Sequence, residues 1–212
     1  MVPSHFADLQ PDETPRQRLI RWVKSMNGCS LSNRLTDLQG LVCRGVDDVS
    51  LGSWQWKTNC ATSALGFLAA ICGSVQAAGQ CHPNLSKQSL IGTSMSWIMQ
   101  IGYDLNAMVP YKGKSGPQPQ PGDLLHYAIL GTGDDHVEFL LGEPDPITGA
   151  AVTGGGGRPN NAITFGNGNA FASWSRPLQG FLNLDALDIP IVCSASLDVS
   201  PAAFSTLQST VT

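Results

Sequence analysis

The chain has 212 residues, of which 42% are hydrophobic, enough to bury a core of ordinary domain size; only 13% are charged, so Ser, Thr, Asn, Gln and Gly must carry much of the surface. A net charge of −4 with no Lys/Arg cluster argues against a nucleic-acid partner and against strong attraction to an anionic membrane, because phosphate binding needs a basic footprint. Residues 1–13 are polar and acidic with no signal peptide pattern, and no apolar run reaches the roughly 18 residues of a membrane span, so synthesis in the cytoplasm is expected.

Thr14-Pro15 reads as a helix cap followed by proline at the first helical position; Leu19, Ile20, Trp22, Val23 and Met26 follow at helical spacing, and Asn27-Gly28 ends the run. Leu38, Leu41 and Val42 suggest a short helix. From Cys60 to Cys72 the chain is apolar nearly all round, which marks a buried helix. A third helix is expected over Lys87 to Ile101, ending at Gly102. The period then changes. The stretches 123–130, 136–143, 150–154, 162–166 and 180–185 are short runs bounded by Gly, Pro, Asn or Asp, the pattern of antiparallel strands joined by turns. Helices first and strands second predict an α+β fold, with N-terminal helices packed on an antiparallel sheet of about five strands. The expected organisation is a helical extension over 1–53, a core over 54–188 and a Ser/Thr/Ala-rich tail over 189–212, in one compact domain.

Six cysteines are present, at 29, 43, 60, 72, 81 and 193, and none form a C-x-x-C pair, so a zinc site is a weak reading and no metal or other cofactor is expected. Three disulfides are arithmetically open, although a cytoplasmic start keeps thiols reduced. Cys60 differs from the others in position. It opens the buried helix, where free backbone amides and the positive end of the helix dipole favour a thiolate. Cys72, at the other end of that helix, has no such help and reads as core. A thiolate nucleophile needs a base. Of the four histidines, His5 lies near the N-terminus, His82 sits in a turn and reads as a solvated loop residue, and His126 lies inside a strand. His136 begins a strand directly after the turn "GTGDD", where it can project from a strand edge toward a helix packed on the sheet, and it is the favoured partner.

Taken together, "NCATSALGFL", then "QPQPGDLLHY", then "DDHVEFLLGE" resemble the NlpC-like and CHAP-like peptidoglycan hydrolases of the papain-like superfamily. In that family a cysteine opens a helix, a "PGDLV" strand follows, and an "HVGIYLG"-type strand carries the histidine. The resemblance covers roughly 54–185 and implies a papain-like fold. It further implies a cysteine amidase or endopeptidase acting on peptidoglycan peptides, with Cys60 attacking an amide carbonyl and His136 moving the proton. The family's orienting asparagine would fall on Arg158, a cation unable to accept from an imidazole. Thr153, Asn160 and Asn161 are the candidates for that role, and a dyad is the alternative. Gln55 is the candidate second oxyanion donor. A phage lysin, an injected antibacterial effector with a cognate immunity protein, and a recycling enzyme all suit such a chain. Acyl transfer, protein deamidation, and a binding domain with a structural Cys60 are the competing functions. Asp134-Asp135 reads as a solvated acidic turn rather than a metal site. Of Trp54, Trp56, Trp97 and Trp174, at most two are expected to line a glycan cleft.

Overall fold

A computed structural model describes residue 10 and residues 12–27, 60–72, 75–86, 95–156 and 163–189. The fold is α+β. Helices α1 (Pro15–Ser25), α2 (Cys60–Ile71), α3 (Val75–Cys81), α4 (Pro83–Ser86) and α5 (Met95–Asp104) precede the strands. The strands are β1 (Met108–Pro110), β2 (Leu124–Ile129), β3 (Asp134–Leu140), β4 (Ala150–Gly155), β5 (Thr164–Asn169), β6 (Ala172–Ser173) and β7 (Arg176–Leu182). A 3-10 turn, Leu184–Leu187, follows β7. The sheet is antiparallel in the order β1-β7-β2-β3-β4-β5, with β6 pairing β7.

That is seven strands among the described residues, against the five expected. The two missed are β1, whose three residues carry no alternation, and β6, whose two residues are one arm of a hairpin. The last strand also begins earlier than the 180–185 run suggested, and Leu184 belongs to the 3-10 turn. α3 and α4 were not anticipated, because Gly73-Ser74 and His82-Pro83 read as breaks. α5 runs to Asp104, past the stop expected at Gly102. The short helix around Leu38, the residues 87–94 of the third predicted helix and the tail from residue 190 lie outside the described residues.

The N-terminus of α1 is fixed as its sequence predicts. The Thr14 hydroxyl accepts from the Gln17 amide, and the Gln17 side chain accepts in return from the Thr14 amide at 2.9 Å. Leu19, Trp22 and Val23 bury the inward face of α1, and the interior of α2 contributes Leu65, Phe67, Leu68 and Ile71. Each such side chain stabilises the fold by roughly 1.5–3 kcal/mol. The helices cover one face of the sheet, where the Phe67 and Phe139 rings meet edge to face at 6.0 Å. On the other face Leu125, Tyr127, Leu140, Leu178 and Phe181 form a second apolar cluster. The sheet curls over that cluster, so that the Tyr127 hydroxyl donates to the Asn169 carbonyl at the end of β5.

The "PGD" turn before β2 ties α1 to the sheet. Asp123, 1% exposed, accepts from the amides of Gln120 and Leu184 and from Arg16 at 2.8 Å. Arg16 also donates to Pro121, Asn183 and Asp185. Gly122 has φ +99°, and a Cβ there would lie 3.1 Å from the Arg16 side chain, so the turn needs glycine twice over.

Candidate active site

Cys60 is the first residue of α2, whose opening amides have no intrahelical partner. α2 lies against β3, and β4 pairs with β3 only at Phe139 and Leu140. The part of β3 from Asp134 to Glu138 is therefore outside the β3–β4 ladder. There the Val137 amide donates to the Cys60 sulfur, as does the Ala61 amide at the helix start. A strand's N–H lies in the plane of the sheet, so a sulfur that accepts it sits beside the strand edge.

Strand alternation places Val137 and Phe139 toward the helices and His136 and Glu138 on the opposite face, beside Tyr127. His136 thus reaches the sulfur around the strand edge. Its ring hydrogen-bonds Cys60, and its Nε2 lies 2.9 Å from Glu138 Oε1. With Nε2 engaged by the carboxylate, Nδ1 is the nitrogen free for the sulfur. Both side chains are buried, His136 at 3% exposure and Glu138 at 2%.

Burial pushes the Cys60 thiol up, but the His136 hydrogen bond, the Val137 amide, the imidazolium charge and the Ala61 amide together leave it below its ordinary value. Burial likewise pushes His136 down, and its bonds and charge contacts with Cys60 and Glu138 more than offset this, raising it to about 9. The same contacts favour the thiolate of Cys60 and the imidazolium of His136 together, with the Glu138 carboxylate as a counter-charge to the ring.

Two aromatic rings clamp the imidazole. Trp174 stacks on it with centroids 4.8 Å apart and Tyr127 at 6.3 Å, each tilted by about 20°. Trp174 and Ser175 form the two-residue turn between β6 and β7 and both have positive φ, 46° and 68°. This is a geometry that hairpins normally fill with Asn-Gly. The Arg176 guanidinium lies 5.6 Å from the Trp174 ring and is paired with Asp134.

Of the residues singled out in the sequence, Cys60 and His136 come together. Thr153 does not join them: it is fully buried, opposite Leu140 in the β3–β4 ladder, and its hydroxyl makes no hydrogen bond among the described residues. Gln55, Asn160, Asn161, Arg158 and His5 lie outside the described residues, as do Trp54 and Trp56. Among the described residues Glu138 partners the imidazole. Its signal was a lone carboxylate in the otherwise apolar run "HVEFLL", two residues from His136 and so on its face. His126 is bound to Asp135 at 3.1 Å, and Asp134 to Arg176, so the acidic turn is paired rather than simply solvated. His82 is buried and bound to Asp104, which corrects its reading as a solvated loop residue. Trp97 packs against the core, and among the described residues Trp174 is the tryptophan at the site. Among the described residues no group of three or more His, Cys, Asp or Glu converges as a metal site would require. Among them too, no helix is long and apolar enough to cross a membrane.

Comparison of the chain with protein families, with curated proteins and with solved structures gives no match.

Proposed function

We propose that the protein is a cysteine-dependent hydrolase that cuts amide bonds, with peptidoglycan peptides as its substrate class. The observation that carries the chemistry is the hydrogen-bonded series Cys60–His136–Glu138, in which a depressed thiol meets a raised imidazole backed by a buried carboxylate. The Cys60 thiolate attacks the carbonyl carbon. The tetrahedral oxyanion is drawn to the amides at the start of α2, with Gln55 as the proposed second donor. The His136 imidazolium gives its proton to the departing amine, and the neutral ring then takes a proton from the water that releases the acyl enzyme. Glu138 holds the ring and its charge throughout. The choice of substrate rests on the order of motifs, a cysteine-led helix, "PGDLL" and "HVEFLLG", that resembles cell-wall hydrolases. The delivery of such an enzyme as a phage lysin or an injected effector with an immunity protein belongs to the same reading.

The test is incubation with purified peptidoglycan and a mass-spectrometric search for new amine ends. New ends that vanish in Cys60→Ala support the reading. No new ends, with Cys60 nevertheless alkylated by iodoacetamide near neutral pH well ahead of a small-molecule thiol, would point to acyl transfer or deamidation on the same thiol. New ends that persist in Cys60→Ala would remove Cys60 as nucleophile.

A further inference from the structure

At the far end of α2 from Cys60 lies a second pair of thiols with no part in that reaction. Cys72 follows the last residue of α2, and Cys81 is the last residue of α3. Their sulfurs are 3.8 Å apart and unbonded to each other. The two environments differ. Cys72 is buried, within 3.3 Å of the Leu68 carbonyl to which its thiol donates, and it feels the charge of the buried Arg18. Cys81 is partly exposed and lines an open cleft of about 520 Å³ together with Gln80, Leu105, Leu187 and Asp188. One sulfur is thus reachable from solvent and the other waits directly behind it.

We propose that Cys72 and Cys81 form a peroxide-reactive dithiol, in which Cys81 is the attacking and Cys72 the resolving sulfur. The Cys81 thiolate attacks one oxygen of a hydroperoxide in the cleft; the O–O bond breaks, hydroxide leaves and is protonated to water, and Cys81 becomes a sulfenic acid. The Cys72 sulfur then attacks the Cys81 sulfur, the S–O bond breaks, and the Cys72 proton leaves with the oxygen as a second water. Two thiols lose two electrons and two protons, and one hydrogen peroxide becomes two waters. From 3.8 Å the sulfurs must close by roughly 1.8 Å to reach disulfide bonding distance. The roles follow from exposure: Cys81 borders the cleft that admits the peroxide, and Cys72 is buried behind it. The Cys81 thiol is lowered by its contact with the Cys72 sulfur, and Cys72 is raised by that contact and by burial.

The experiment uses the full chain carrying Cys60→Ala, so that the tryptic peptide 58–87 holds only these two cysteines. Hydrogen peroxide is added near neutral pH, and the protein is then denatured, alkylated with iodoacetamide and digested. The expected result is a peptide two hydrogens lighter and carrying no alkyl group, formed at least ~10-fold more slowly when peroxide is added in guanidinium, where the thiolate is no longer favoured. Adding Cys72→Ser should leave a dimedone-reactive sulfenic acid on Cys81. A peptide that keeps both alkylatable thiols, pairing of Cys81 with a cysteine outside 58–87, or an equal rate in guanidinium would overturn the proposal. So would dimedone labelling of Cys72 when Cys81→Ser is introduced instead.

Discussion

Glu138 stands two residues beyond His136 on one face of β3, its carboxylate 2.9 Å from the imidazole Nε2. A carboxylate at 2% exposure is costly to ionise unless its charge is matched, and the match here is the imidazolium it holds. Glu138→Gln keeps the shape and removes the charge. We expect it to lower turnover on the order of 10²-fold or more, the scale of a general acid–base contribution. It should also bring the His136 pKa down from about 9, read by NMR titration of the ring protons. A purely structural role for Glu138 would lower stability without moving that titration.

The opposed shifts of Cys60 and His136 set a pH signature. Thiolate absorbance near 240 nm should persist in the native protein below the ordinary thiol value of 9.0, and the share due to this site should disappear in Cys60→Ala. His136→Ala should return the remaining thiol to or above that ordinary value, since burial then acts with the main opposing group gone. The stability signs oppose one another. His136, raised from 6.5 to about 9, contributes stability that is full below pH 6.5 and lost as pH rises through about 9. Cys60, depressed, contributes stability that is full above 9.0 and lost as pH falls through its folded value. In the part of the range from 6.5 to about 9 that lies above the folded Cys60 value, the two slopes offset one another, so urea unfolding should find this site's contribution level there. A steep decline there would contradict the pairing.

Cys60 and His136 were legible because each rests on local chemistry: a thiol where a buried helix opens, and a histidine where a strand leaves a turn. The family resemblance points downstream for a third member, to Thr153, Asn160 and Asn161, whereas alternation along "HVEFLL" places a carboxylate beside the histidine. What alternation did not reveal was the route. The short β3–β4 pairing frees the strand edge, and only that lets a ring on one face meet a sulfur arriving from the other. Helices α1, α2 and α5 and the longer strands are readable from period and caps, whereas α3 and α4 are too short to show a period. β6 was not, because its two residues are ordered by a turn whose sequence, Trp-Ser, is not a turn signal.

That turn is a second test. Trp174 and Ser175 both occupy left-handed backbone, which costs a residue with a side chain roughly 1–2 kcal/mol. Ser175→Gly should raise stability by roughly 0.5–1 kcal/mol after allowing for the extra freedom of glycine in the unfolded chain, measured by urea unfolding. Trp174→Asn suits the backbone but removes the ring from His136 and opens the His136–Glu138 bond to water. Turnover should then fall about tenfold, as the bond weakens in a higher dielectric. A Trp174→Asn variant with unaltered turnover would assign the ring to packing alone.

The tie between α1 and the sheet gives the last prediction. Arg16 meets Asp123 where that carboxylate is almost wholly buried, and its remaining donors reach Pro121, Asn183 and Asp185. Arg16→Ala leaves the Asp123 charge with only the Gln120 and Leu184 amides, so it should destabilise the fold by about 3 kcal/mol. Asp123→Asn removes the charge but still offers an oxygen to those amides. The double variant should therefore be less damaged than the sum of the two single ones, by roughly 1–2 kcal/mol of coupling. Urea midpoints of the four proteins measure it. Strict additivity would mean that the two side chains act independently, and that α1 is held by Leu19, Trp22 and Val23 without help from the "PGD" turn.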